Sequence, residues 1–389
     1  RNKKLAIIQG KLKSEGKKMA ERQRQDAGDN SQQIQAQNII VINGIDEKRA
    51  REIFDDKERE VVARYTQEAR EEARSRIQQL ENDLIPKLVK AGLLDAFKDP
   101  SIQILLAEAQ KTAASTERVA DYSLLSELII HRVNKGNDRY VRVGINRAVE
   151  IVDEISDEAL LGLTVFHSVS QFFPTSGNID QGIKVLSKLF RDIIYSTLPT
   201  DNLWLEHLEI LDAIRIQQLS KLKKFAEFLS KKLSGYIDVG IHKESDDFKK
   251  AVELVSKAGL PEDILCDHEL RSGYTRLRIV NIEQLDYVKI TYHIKLLIGG
   301  NPSIVPSQVS LSEEQKEAIK EVYGLYSKDS QLKNENITNF INLCDTYEIL
   351  KGLRLWWDSI PSSFSITSVG KVLAHANAQK HCPILPEYK

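Results

Sequence analysis

Apolar side chains recur at helical spacing in the first quarter of the chain, from Asp46 to about Ala91. Successive members of this series lie three, four or seven residues apart, which places them on one stripe of a helix. They are Phe54, Val61, Tyr65, Ala69, Ala73, Ile77, Leu80, Leu84 and Leu88. The remaining positions are dense in Glu, Arg, Ala and Gln. The pattern predicts, over residues 46–91, one or two long charged helices that bend or break near Pro86.

Residues 92–235 carry shorter amphipathic segments, separated by polar capping residues and by glycine or proline. Such punctuation predicts a series of antiparallel helices joined by short loops. The predicted helices start at Asp99-Pro100 and then cover roughly 117–133, 139–152, 156–173, 178–195, 200–217 and 220–234. No fixed repeat period recurs among them, so a solenoid-like array and a compact bundle both remain open.

The pattern changes within residues 236–389. Tyr274–Val280 and Leu285–Leu297 alternate β-branched or aromatic residues with polar ones, which predicts two strands, although the second segment also fits a helix. Helices are predicted around them, and Trp356 and Trp357 are interpreted as the anchor of a small terminal module. The predicted fold class is mainly α, a multi-helix array or bundle with an N-terminal β-strand leader and a small α+β C-terminal part.

Residues 28–45 form the strand leader, a glutamine-rich segment with strand character. Amide and apolar side chains alternate there before a β-branched run, a pattern typical of a strand. A lone strand leaves backbone groups unpaired, and stacked copies would also pair the glutamine amides. The leader is therefore predicted to join subunits, through Gln33, Ile34, Gln35, Gln37, Ile40 and Ile42. Pairing with a strand within Tyr274–Lys295, or a polar linker, are the alternatives.

Residues 1–27 form a basic tail with nine basic and three acidic residues. Such a tail can bind nucleic-acid phosphates or keep the leader solvated, and it contains no aromatic residue for base stacking. The nucleic-acid interpretation assigns phosphate contacts to Lys11, Lys13, Lys17, Lys18, Arg22 and Arg24. It adds Arg70, Arg74 and Arg76 as exposed arginines of the first helices.

Composition limits the remaining function classes. The 389 residues include 55 basic and 56 acidic side chains, so the net charge of −1 gives no general attraction to nucleic acid or anionic membranes. The three cysteines are widely spaced, which favours reduced thiols and a cytoplasmic protein. No apolar run approaches the ~20 residues of a membrane span.

No motif for a familiar enzyme class is found in the sequence. Gly370-Lys371-Val372 lacks the hydroxyl residue of a phosphate-binding loop, and no HExxH or GxSxG motif occurs. The residues nearest to a metal-site pattern are His375, His381 and Cys382, with Cys266 and His268 from elsewhere in the chain, and their spacing matches no standard zinc site. His131-Arg132 is interpreted as an interhelical contact. No catalytic residue, cofactor or metal is predicted, and a non-enzymatic protein is favoured.

Five blocks of the sequence resemble an uncharacterised bacterial helical family, the Vpar-type proteins of unknown function. The blocks are GDNSQQIQAQNI at Gly28–Ile39, DPSIQILLAEAQKTAA at Asp99–Ala114, DYSLLSELIIHRV at Asp121–Val133, RVGINRAVEIVDEISDEALLGLTVF at Arg142–Phe166 and FSITSVGKVLAHAN at Phe364–Asn377. Similar strand leaders occur near bacterial anti-phage systems. The resemblance therefore implies a role in defence or assembly, and it assigns no functional residue.

Two functional hypotheses follow. The first is a non-enzymatic scaffold or sensor in bacterial anti-phage defence that self-associates through the leader and offers its helical body to another protein. The second is a nucleic-acid-binding protein, or a degenerate helical nuclease, that uses the basic tail.

Deleting residues 28–45 tests the first hypothesis. The particle mass of the purified chain, measured by light scattering, should fall because the deletion removes the strands through which subunits are predicted to pair. A mass that stays the same after the deletion would defeat the assembly hypothesis.

Overall fold

Short polar side chains begin most of the helices, because each accepts a hydrogen bond from a backbone N–H that the first turn leaves unpaired. Asp46, for example, accepts from the Arg49 N–H at 2.8 Å. The structure is a computed structural model, and it describes residues 44–63, 65–135, 138–217, 219–298 and 301–388. The first helices are α1 (Glu47–Val62), α2 (Gln67–Ala91), α3 (Pro100–Ser115), α4 (Val119–Lys135), α5 (Arg139–Glu150), α6 (Asp157–Gln171), α7 (Ile179–Ile193) and α8 (Leu203–Ile210).

Shorter helices and strands follow in the second part of the chain. The helices are α9 (Phe225–Lys232), α10 (Ser234–Ile237), α11 (Asp246–Lys257), α12 (Glu313–Gly324), α13 (Ser330–Asp345), α14 (Glu348–Ser359) and α15 (Ser368–His381). The strands are β1 (Ile214–Gln217), β2 (Ile241–His242), β3 (Leu265–Asp267), β4 (Tyr274–Leu277), β5 (Lys289–Ile298), β6 (Asn301–Ser310) and β7 (Ser363–Ile366). Turns of 3-10 helix lie at Leu94–Lys98, Glu262–Ile264 and Ile282–Tyr287. The predicted mainly α fold is confirmed.

The charged segment after Asp46 is interrupted before residue 67, and not near Pro86 as predicted. Arg70 stabilises this break, because its guanidinium donates to the carbonyl oxygens of Val62 at 3.1 Å and Ala63 at 2.9 Å. These carbonyls belong to the end of α1, where the helix itself offers them no partner. Pro86 lies inside the continuous helix α2.

The strands form three small antiparallel sheets within the described residues: β1 with β7, β2-β4-β3, and β5 with β6. Ile214 of β1 pairs with Ile366 of β7. The helix predicted over 200–217 is therefore wrong beyond α8, because the last four residues pair with a strand about 150 positions later. The strands predicted at Tyr274–Val280 and Leu285–Leu297 correspond to β4 and β5, but the second strand begins only at Lys289, because the chain forms a 3-10 turn up to Tyr287.

Helix α15, near the C-terminus, lies at the centre of the helical body and packs against α4, α5 and α6. Its sequence permits this position, because small and apolar residues occur on every side of the helix. Residues 372–378 are all buried. A helix from the last residues of the sequence therefore fills the centre of a core that is formed mainly by earlier helices.

Trp356 and Trp357 fix α14 to this body, although the segment predicted as a small terminal module is part of the core of the body. Both side chains are buried. The Trp356 indole N–H donates to the Pro199 carbonyl at 2.8 Å, and that of Trp357 donates to the Lys223 carbonyl at 2.9 Å. The Trp357 ring also stacks on Phe166 of α6, with 4.7 Å between ring centroids.

Residues 45–389 form one compact unit with two apolar clusters. The larger cluster is the helical body around α15, and the smaller one lies among α11, β4 and α12. The basic tail at 1–27 and the leader residues from Gln33 to Ile42 lie outside the described residues.

An ion pair between a buried arginine and a glutamate connects the small β2-β4-β3 sheet to the helical body. Arg276 of β4 is completely buried and binds both carboxylate oxygens of Glu269 at 2.8 Å. The same guanidinium donates to the Gly177 carbonyl at 2.6 Å, just before α7. Glu269 also accepts from the Ile179 N–H at 3.3 Å, in the first turn of α7. The pair therefore fixes the position at which α7 begins.

Replacing Arg276 with methionine should destabilise the protein by about 2 to 4 kcal/mol, because the fold would lose the hydrogen bonds that the buried guanidinium makes to Glu269 and to the Gly177 carbonyl. Urea denaturation measures this change. Arg147→Met is the matched control, because Arg147 pairs with Glu150 on the helix surface, and such a pair contributes less than about 0.5 kcal/mol. Equal effects of the two substitutions would show that the Arg276 pair is not structurally important.

Candidate ligand-binding site

An apolar cavity of about 710 Å³ opens beside the second half of α7. Its walls are the end of α6 with the following loop at 172–175, one face of α7, the 3-10 turn Ile282–Tyr287 and the C-terminal segment 382–388. Cavities of ~300–1,000 Å³ are typical of small-molecule sites. The cavity therefore has the size of a binding site for an organic molecule.

The loop at 172–177 gives the cavity its opening. Pro174 cannot continue a helix, so the chain leaves α6 and turns towards β4. Gly177 then passes so close to β4 that a Cβ atom would lie 2.3 Å from the Arg278 carbonyl oxygen. Only glycine permits this approach. The Arg276 hydrogen bond to Gly177 holds the loop in the same place.

Two buried histidines lie at the inner end of the cavity, His167 from α6 and His375 from α15. Their ring centroids are 5.8 Å apart in an edge-to-face arrangement. Neither nitrogen of His167 has a hydrogen-bond partner in the described part of the chain. Burial lowers the pKa of His167 to about 3 and that of His375 to about 4, so both rings are neutral at pH 7.

The C-terminal segment closes one side of the cavity. The Pro386 carbonyl lies 3.0 Å from Nε2 of His375 and accepts a hydrogen bond from the Gln379 amide at 3.1 Å. The Tyr388 ring packs edge-on against His375, with 5.2 Å between centroids. Two side chains of α15 therefore hold the segment over the cavity.

The mouth of the cavity is apolar as well. Val185, Tyr287 and Ile384 line it and are 52%, 68% and 83% exposed. Large apolar side chains that are exposed together at an opening form a contiguous apolar patch, and such patches are a feature of binding sites. The charged side chains along the cavity are Lys188, Asp192 and Glu387.

Burial keeps the titratable groups at the inner end of the cavity uncharged at neutral pH. A base with a pKa near 3 or 4, as for His167 and His375, accepts a proton poorly at neutral pH. Cys382 also lines the cavity, and burial raises the pKa of its thiol, which keeps the less nucleophilic protonated form.

The residues compared with a metal site lie in separate places. His375 and Cys382 line the cavity, whereas His381 stacks on Tyr195 with 4.2 Å between ring centroids. His268 belongs to the small sheet, where its Nε2 lies 2.8 Å from the Asp238 carbonyl oxygen. Across the described ranges, no three His, Cys, Asp or Glu side chains are grouped to hold a metal ion.

Arg70, Arg74 and Arg76, which the nucleic-acid interpretation adds as exposed arginines, make intramolecular bonds, whereas Arg22 and Arg24 lie outside the described residues. Besides the Arg70 bonds at the end of α1, Arg74 pairs with Glu58 at 3.4 Å. Arg76 pairs with Glu72 at 3.0 Å and donates to the Ala114 carbonyl at 3.1 Å. These bonds join α1, α2 and α3. The three side chains therefore have structural roles.

A model of an uncharacterised protein family matches residues 44–269, more than half of the chain. The chain belongs to this uncharacterised family. The family-matched region includes His167, the loop at 172–177, α7 and Glu269. Arg276, His375 and the C-terminal wall of the cavity lie beyond it. No curated protein and no solved structure shows significant similarity to the chain. None of the helices in the described ranges has the length and apolar character needed to cross a membrane.

Sequence reasoning did not identify His167 as a site residue. Its local signal is the sequence TVFHSVSQFFP, in which an apolar helix carries one histidine just before an aromatic pair and a proline. His131 was interpreted as an interhelical contact, and its Nε2 indeed meets the Gln379 side chain of α15.

Acid should destabilise the fold through His167. The unfolded chain takes up this proton near pH 6.5 and the folded chain only near pH 3, so the unfolded state binds more protons between these values. The contribution of His167 to the unfolding free energy is complete above pH 6.5 and falls by up to ~1.4 kcal/mol per pH unit below it. The unfolding free energy, measured by urea denaturation between about pH 7 and about pH 4, should therefore fall less steeply with decreasing pH for His167→Gln than for the wild type.

His242→Gln is the control, because His242 is exposed. The unfolding free energy of this variant should change with pH as that of the wild type does. Identical slopes for the wild type and His167→Gln would contradict the buried, neutral state of His167.

Proposed function

We propose that the protein is a non-enzymatic sensor whose helical body binds a small molecule in the cavity and whose leader joins subunits. The observation that carries the proposal is the buried His167 at the inner end of the cavity, with neither ring nitrogen paired in the described residues. An unpaired buried polar group costs ~1–3 kcal/mol, and a ligand that pairs with it removes this cost.

The apolar walls supply the second source of binding energy. Phe172, Phe173 and Leu189 line the cavity together with the exposed apolar side chains of its mouth. Covering such surface is favourable by roughly 25 cal/mol per Å² of apolar area removed from water. An organic molecule of suitable size is therefore a better occupant than water.

The cavity is also placed where a bound molecule can influence the rest of the body. His375 belongs to the central helix α15, and the loop at 172–175 leads to the Gly177 contact with Arg276. The C-terminal wall is held by side-chain hydrogen bonds, which a ligand can strengthen or replace. A sensor requires such a connection between its ligand and a structural element that can shift.

Self-association through the leader completes the proposal. The alternation of glutamine and apolar residues from Gln33 to Ile42 supports it, and the leader precedes the helical body directly. The resemblance of this leader to those found near bacterial anti-phage systems supports a defence role. The nucleic-acid alternative rests on the basic tail alone, since Arg70, Arg74 and Arg76 are engaged within the body.

Substituting tryptophan for Val185, at the mouth of the cavity, should block binding. The probe is N-phenylnaphthylamine, an uncharged dye whose fluorescence rises in apolar surroundings. The wild type should bind one dye per chain, and Val185→Trp should weaken binding by roughly tenfold or more, because the indole occupies the entrance. Fluorescence titration measures both.

Val119→Trp is the matched control, because Val119 is also exposed, does not line the cavity and should leave dye binding unchanged. No saturable dye binding to the wild type would defeat the proposed function, as would equal binding to Val185→Trp and the wild type.

A further inference from the structure

We propose that the ligand of the cavity is an uncharged, mainly apolar molecule that ends in one hydroxyl group, of alcohol or phenol type, bound to His167. This inference deepens the proposed function and rests on it. Its basis is the combination of one buried imidazole with both nitrogens unpaired and walls that are otherwise apolar.

His167 can both donate and accept a hydrogen bond. A neutral imidazole has one N–H donor and one acceptor nitrogen. A hydroxyl group also donates one hydrogen bond and accepts others, so it suits either nitrogen whichever tautomer is present. The His167 side chain is only 2% exposed, and a ligand atom at this depth has little access to water.

Neighbouring rings fix the orientation of the His167 imidazole. His167 lies edge-on to Phe172, with 6.0 Å between centroids, and edge-on to His375 at 5.8 Å. Phe172 and His375 also contact each other, with 5.6 Å between centroids, so the three rings form one packed cluster. A fixed ring loses little rotational freedom when it binds a ligand, which favours recognition of one group at a defined place.

The surroundings of His167 disfavour a charged ligand group. A carboxylate placed beside His167 would be removed from water, and a buried charge without a charged partner is costly. The positive charge that influences His167 is that of Lys371, and this side chain is exposed to solvent, so it is not a buried partner for a carboxylate. Asp192 and Glu387 outnumber Lys188 among the charged side chains of the cavity, so an anion also meets net negative charge there. An uncharged terminal group avoids both costs.

The walls of the cavity suit an apolar ligand body. Aromatic rings from Phe172, Phe173 and Tyr388 line the cavity together with Leu186 and Leu189. These side chains offer ring faces and aliphatic surface to a flat or chain-like hydrocarbon. The volume of about 710 Å³ accommodates a ring with an alkyl chain.

Three probes that differ only in their terminal group test the inference: para-hexylphenol, hexylbenzene and para-hexylbenzoate. Calorimetric titration of the intact chain at neutral pH should rank the phenol first. It should bind about tenfold tighter than hexylbenzene, because hexylbenzene leaves His167 unpaired. The benzoate, which is charged, should bind more weakly than the phenol.

Two variants identify His167 as the recognising group. His167→Phe should remove the preference for the phenol, so that phenol and hexylbenzene bind within about twofold of each other. His167→Gln retains a donor and an acceptor, and it should keep most of the preference. Near-ultraviolet circular dichroism checks that each variant is folded, and the ranking by the wild type tests the inference even if one variant is not.

Several outcomes would overturn the inference. Equal binding of phenol and hexylbenzene to the wild type would exclude His167 as the recognising group, and tighter binding of the benzoate would assign the site to an anion. If none of the three probes binds while N-phenylnaphthylamine still does, the ligand class is wrong and the proposed function stands. If the dye also fails to bind, both proposals fall.

Discussion

The ion pair of the buried Arg276 with Glu269 is the interaction on which the arrangement of the cavity depends. A guanidinium without access to water needs a carboxylate and several carbonyl oxygens to compensate its desolvation. Glu269 supplies the carboxylate, and Gly177 supplies a carbonyl at 2.6 Å. This requirement brings together a strand of the small sheet and the loop before α7. The same loop forms one wall of the cavity. The hydrogen bond from Arg276 to Gly177 therefore helps to position a wall of an apolar site.

The central position of α15 gives the cavity its second constraint. The helix is surrounded by α4, α5 and α6, so its polar side chains must find partners inside the body. Gln379 and His375 do so at the C-terminal segment, through the Pro386 carbonyl. His167, on the neighbouring helix α6, has no such partner within the described residues. His375 has a hydrogen-bond partner and His167 has none in the described residues, so a ligand would form its hydrogen bond with His167.

The fold was largely predictable and the candidate site was not, for a physical reason. Caps such as Asp46 and periodic apolar residues such as those of α2 act within a few positions, so they are visible in sequence. The pairing of Ile214 with Ile366 acts across about 150 positions, and the local pattern there indicated a helix instead. His167 and His375 are separated by more than two hundred positions, and only the folded body brings them together.

The central claim is that the cavity beside α7 is a binding site that communicates with the elements around it. Hydrogen–deuterium exchange of the intact chain, with and without N-phenylnaphthylamine, tests it most directly. The account predicts slower exchange on dye binding in the loop at 172–177 and in the C-terminal segment 382–388, with little change in α1 and α2. Protection that is absent from both walls, or that appears mainly in other parts of the chain, would contradict it.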